Sequence, residues 1–184
     1  MRRRNPLMKP VSNETALVVV VPEVNEVLLI LVDAQTLEIY GKVNVYGEGL
    51  NNEAEIPGSV IHALALPGYG PLLYDMASWA IKTAKLGPGL QSFQNERSDD
   101  ANRLWARHTG RTEPSGYDAR GVPLPDLWRS PSAQAFKRKY GVTQRSIVNL
   151  GRDVMETSGL SPRQWQSRVR QFQRQEHDKG REDA

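Results

Sequence analysis

Three apolar, β-branched stretches crowd the N-terminal part of the chain: Thr15 to Val21, Glu26 to Asp33, and Leu37 to Val45. Side chains of this kind fit the pleated, half-buried surface of a sheet. The gap Asp33-Ala34-Gln35-Thr36 has turn chemistry, so the stretches on either side of it read as two antiparallel strands. In the later one, Ile39, Gly41, Val43 and Val45 fall on one face by two-residue alternation. A loop over 47–58, with Gly47, Gly49, Asn51, Asn52 and Pro57-Gly58, leads to another apolar strand, Ser59 to Leu66. The apolar run Ala16 to Val21 is too short to cross a bilayer and is cut by Pro22 and Glu23. The expectation is a soluble cytoplasmic protein with no membrane contact.

The pattern changes at Pro67-Gly68-Tyr69-Gly70-Pro71. From Pro71 to about Lys85 the apolar residues Leu72, Leu73, Met76, Trp79 and Ala80 recur near helical spacing. Gly87-Pro88-Gly89 ends that helix, and Leu90 to Phe93 has the composition of a short strand. Ser98 reads as an N-cap, with Asp99 and Asp100 favourable in the first turn of a helix carrying Ala101, Leu104, Trp105 and His108. Residues 110–130 are rich in Gly and Pro, so no regular element is expected there. Beyond them a helix is expected from Ser130-Pro131 to about Tyr140, broken by Gly141. Another starts at Thr143 or Gln144, with Ile147, Leu150, Val154 and Met155 on one face. A last one starts at Ser161-Pro162-Arg163-Gln164, which has the residues of a capping box, and carries the stripe Trp165, Val169 and Phe172. Beyond Glu176 the tail is expected to fray.

These 184 residues (20.6 kDa) suit one domain with an appendage. The divisions are a basic flexible arm over 1–13, an α/β domain over 14–110, a loop or linker over 111–130, and a helical C-terminal extension over 131–184. Cysteine is absent, which excludes thiol catalysis, thiolate metal sites and disulfides. The spacing of His62, His108 and His177 matches no local metal motif, so no metal is expected. Charge is unevenly placed: residues 11–57 hold eight acidic side chains and one lysine, and residues 127–184 hold twelve basic and six acidic ones. That asymmetry can steer an acidic partner to the C-terminal part.

Chemistry gathers where a strand feeds a glycine turn and the turn feeds a helix, over Leu66-Pro67-Gly68-Tyr69-Gly70-Pro71-Leu72-Leu73. The first amides of a helix lack internal partners, and glycines let a bulky anion approach them. A phosphate or pyrophosphate fits such a turn. The lysine of a nucleotide-binding P-loop and the third glycine of the dinucleotide fingerprint are both missing. With Gly87-Pro88-Gly89-Leu90, and Arg97-Ser98 ahead of Ala101 and Trp105, this stretch resembles the coenzyme A-binding segment of the GNAT superfamily of N-acetyltransferases, in a divergent phage-encoded form. The resemblance spans roughly residues 15–110.

It implies a mixed, mostly antiparallel central sheet flanked by helices, an acyl-CoA N-acyltransferase-like fold. It also implies acetyl-CoA or another acyl-CoA as cofactor, with Leu66, Gly68, Tyr69, Gly70, Pro71, Leu72 and Leu73 as its binding turn. The strand before the turn would line the pantetheine arm. An amine on a small molecule or protein would attack the thioester, and phage encoding would place the protein in host cytoplasm. Ala65 stands where the family usually has Arg or Gln, and His108 lies nearest the position of a family tyrosine that protonates the leaving thiolate.

His62 on the strand could take a proton from the amine, and Glu55, with Glu53, could guide the amine or act as base. Each is as readily explained as a core or solvated residue. A different function is suggested by Phe136 to Ser146, whose basic helix, glycine turn and polar helix start are those of a helix-turn-helix. Lys137, Arg138, Lys139, Gln144 and Arg145 would then contact nucleic acid. This alternative is a DNA-binding or host-interaction phage protein on a catalytically inactive acetyltransferase-like fold.

Overall fold

The computed structural model describes residues 10–23, 26–46, 60–84, 90–92, 98–103, 122–123 and 133–182. The apolar runs form one antiparallel sheet in the order β1-β2-β3-β4, made of Thr15–Glu23, Glu26–Asp33, Ile39–Tyr46 and Val60–Ala65. The β2–β3 turn is fixed by Asp33, whose Oδ1 accepts the amides of Gln35 and Thr36, both at 2.9 Å. Leu37 completes it at φ 59°, an uncommon conformation for a branched side chain.

Two bulges correct the simple alternation. Leu31 pairs with Gly41 but Val32 pairs with Ile39, so Tyr40 is an extra residue and the strand changes phase there. Ile39 therefore packs on the opposite face from Val43 and Val45. Likewise Asn44 pairs with His62 and Val45 with Val60, which puts Val60 and His62 out of phase. A bulge inserts one residue without altering composition, so a two-residue count through it assigns the wrong face.

Both sheet faces are apolar and both are covered, which makes the architecture mixed α/β with helices in two layers. On one face α1 (Gly70–Thr83) lays Leu72, Leu73, Met76 and Ile81 over Leu29, Leu31, Val43 and Val45. On the other, α4 (Pro162–Glu182) lays Trp165, Val169 and Phe172 over Val18, Leu28, Ile30 and Val32. Trp165 is fully buried. Between these layers in sequence come α2 (Ala133–Tyr140) and α3 (Gln144–Ser158).

α3 runs against β1 and closes that edge of the sheet, giving Ile147 to one core and Val154 to the other. Gly151 makes this approach possible: a Cβ there would lie 1.7 Å from the Leu17 carbonyl oxygen. α4 does not fray at Glu176 but continues to Glu182, with Lys179 paired to Glu176 at 2.7 Å. Gln91–Ser92 (β5) pairs with Val122–Pro123 (β6), so the Gly- and Pro-rich stretch contains a strand that its composition does not announce. Among the described residues no helix is long and apolar enough to cross a membrane.

Candidate functional site

The glycine turn is held down by aromatic packing. Tyr69, which precedes α1, stacks on Tyr40 with ring centroids 4.6 Å apart and planes 13° from parallel. The Tyr40 hydroxyl donates to Asp33 at 3.1 Å, and its carbonyl accepts the Leu66 amide at 2.8 Å. Two hydrogen bonds, one to the Asp33 turn and one from Leu66, thus anchor the tyrosine against which the turn is built. The same environment holds the Tyr40 hydroxyl well above its usual pKa, first by burial and then by Asp33, whose own carboxyl is lowered chiefly by the Thr36 amide. Gly68 stands at φ 88°, where only glycine is comfortable.

The amides of the turn divide in two. Tyr69 donates to Leu66 at 3.0 Å and Leu73 donates to Tyr69 at 2.9 Å, while Pro71 has no N–H. The amides of Gly68, Gly70 and Leu72 make no hydrogen bond within the described residues. So two bare amides, those of Gly68 and Gly70, belong to residues that line the adjoining cleft, whereas Leu72 does not line it. The side chains of Tyr69 and Leu72 are buried beneath the turn.

Above them lies a cleft of about 320 Å³. Leu66, Gly68, Gly70, Pro71 and Leu73 line it, as do Ala65, Tyr74 and, from the next helix start, Ser98, Asp100 and Ala101. Ser98 is the N-cap its sequence suggests: its Oγ accepts the Ala101 amide at 3.3 Å and its carbonyl the Asn102 amide at 2.8 Å. Two helix starts therefore share one cleft, an arrangement that sequence spacing does not reveal. Asp100 opposes an anion there, and Arg103 is paired to it. Asp75 does not line the cleft; it is 3 % exposed, and burial pushes its carboxyl up to about 6.

Gly70 has no packing or conformational reason to be glycine. Its φ is not positive, and a Cβ there would meet nothing within 4 Å. Open space beside bare amides is what a bulky anion requires. β4 forms the outer strand of the four-stranded sheet, so one row of its backbone groups has no strand partner among the described residues.

The expected acid and base are not gathered here. His62 is exposed rather than a core residue, and it does not line the cleft. By register it shares a sheet face with Asn44, and its Nδ1 is 3.4 Å from Gln173 Nε2 of α4. Its pKa is lowered, mainly by burial and secondly by Lys42. Lys42 is the residue that sequence reasoning missed. It is 2 % exposed, its Nζ donates to Asn44 at 2.7 Å, and Asn44 in turn donates to Glu26. Burial brings its amine down to about 8, with Glu26 acting the other way. The available signal was a lone lysine inside an apolar alternating strand. Glu55 and His108 lie outside the described residues.

The residues of the expected helix-turn-helix fall into two groups. Lys137, Arg138 and Lys139 are exposed at the end of α2, as expected. At the start of α3, however, Thr143 and Ser146 spend their hydroxyls on a reciprocal capping box, and Gln144 is 5 % exposed with its side-chain amide nitrogen unpartnered. Gln144 is thus turned inward where α3 docks on β1, whereas Arg145 and Ser146 of the same turn are exposed. Arg145 borders a separate apolar groove of about 640 Å³ between α3 and the C-terminal end of α1, floored by Leu17, Val19 and Leu29. Among the described residues no group of three or more His, Asp or Glu side chains could hold a metal ion.

No family model, curated protein or solved structure matches the chain.

Proposed function

We propose that the protein is an acyl-CoA-dependent N-acyltransferase, with an acyl-CoA N-acyltransferase-like fold, moving an acetyl or similar acyl group to an amine. The observation that carries this reading is Gly70, open to solvent space beside the unpaired amides of Gly68 and Gly70 in a cleft at the end of an outer strand. The diphosphate of coenzyme A suits these two donors and the N-terminal field of α1. The amide-bearing pantetheine arm suits the unpaired edge of β4, since an extended chain with amides can pair with a strand. Acetyl-CoA, when bound, supplies the activated thioester.

The chain's own part is to fix the cofactor and exclude alternatives to the amine, which is catalysis by positioning. Tyr69 and Tyr40 hold the turn, Gly68 shapes it, and Ala65 and Leu66 form the apolar wall beside it. Lysine and arginine side chains are not needed to bind a diphosphate that backbone amides already cradle. His62 faces α4, so proton removal from the amine is not assigned to it.

A thiol-release assay tests transfer. The protein contains no cysteine, so a thiol reagent reports only free coenzyme A. Acetyl-CoA with a panel of polyamines, amino acids and lysine peptides should release thiol with at least one acceptor, and Gly70→Val should lose that release. Wild-type release at the buffer rate with every acceptor would reject the reading.

A further inference from the structure

α4 carries a second feature that the acyltransferase reading does not use. Trp165, Val169, Phe172 and the half-buried Glu176 mark the side turned to the sheet. At 3.6 residues per turn, Arg163, Arg170, Arg174 and Arg181 fall within about 40° of one another, on the side opposite to it. All four are exposed. They form a line about 27 Å long on one helix, capped by the reciprocal bonds of Ser161 and Gln164. The ion pairs of this helix are Lys179 with Glu176 and His177 with Asp178, and none of the four arginines joins an ion pair among the described residues. Ser167 and His177 sit between the arginines on the same side, and Asp178, 4.0 Å from His177, stands at its flank.

We propose that this outer face of α4 binds the phosphate backbone of a double-stranded nucleic acid without reading its sequence. Guanidinium forks match phosphate oxygens in pairs, and the helix backbone fixes the spacing at which the four arginines leave it. The apolar residues of α4 are committed to the sheet, so the face has nothing to insert into a bilayer. No Phe, Tyr or Trp lies along the line and His177 is a single small ring, so the face offers no run of stacking platforms for successive unpaired bases. A duplex, which presents only phosphates and groove edges, is the polyanion that remains. This surface is distinct from the α2–α3 region and does not depend on acyl transfer.

The test is fluorescence anisotropy of the full chain with short duplexes of DNA and of RNA, each in two unrelated sequences, across a salt series. Sequence-independent binding is expected for at least one duplex type, with a slope of log K against log salt of about −3 to −4 for four phosphate contacts. The variant with all four arginines changed to glutamine should weaken binding more than tenfold and flatten the slope. The variant with four lysines should keep most of both, and changing Lys137, Arg138 and Lys139 should leave them near wild type. Circular dichroism should be the same for all. No duplex binding, tighter binding to single strands or to polyglutamate, or undiminished binding by the folded glutamine variant would each overturn the proposal.

Discussion

At the scale of single residues, the site is held by side chains whose importance is not written in their type. Tyr40 is one of six tyrosines, yet it is the extra residue of a bulge, the stacking partner of Tyr69 and the donor to Asp33. Only the pairing register reveals that. Lys42 is similar. An amine brought down to about 8 by burial gives up its proton in the folded state while the unfolded chain, at 10.5, keeps it. In that interval the unfolded state binds more protons, so stability rises with pH. Tyr40 and Tyr140, both held protonated by the fold, reverse the trend once free tyrosines ionise near 10. Urea unfolding between pH 8 and about 9.5 should therefore show a stability that climbs in the wild type and stays flat in Lys42→Met. An equal climb in both would mean that Lys42 titrates as a solvated amine.

At the scale of elements, period and punctuation were legible and faces were not. Each of the four main strands and each of the long helices lies where apolar runs, caps and glycines put it, because those signals are local. Ser98 and Thr143 mark real helix starts for the same reason. What the sequence could not carry was the phase change at two bulges and the docking of α3 on β1. That docking makes α3 the cover of the β1 edge. It rests on Gly151, whose substitution by alanine drives a methyl group into the Leu17 carbonyl. The helix propensity of alanine favours the change by about 1 kcal/mol, but forcing the backbones apart costs about 2–4 kcal/mol, so the variant should be less stable. Gly180→Ala, which meets nothing within 4 Å, isolates the propensity and should be neutral or stabilising by up to about 1 kcal/mol. Denaturant midpoints for the two variants should move in opposite directions, and a stable Gly151→Ala would contradict the close approach.

At the scale of the whole molecule, the sheet is asymmetric in a way that suits a ligand. Its β1 edge is closed by α3, both faces are closed by α1 and α4, and the β4 side carries the cleft with the glycine turn at its end. The sequence located this turn, but spacing cannot distinguish amides spent inside a turn from amides left bare. It also could not bring Ser98 and Ala101 to the same cleft, since they are separated from the turn by many residues. Isothermal titration of the full chain with acetyl-CoA and with free coenzyme A tests the account most directly. Binding in the micromolar range is expected for both ligands, lost in Gly70→Val while its unfolding midpoint is unchanged. Absence of heat from the wild type with either ligand, or equal affinity in the folded valine variant, would contradict it.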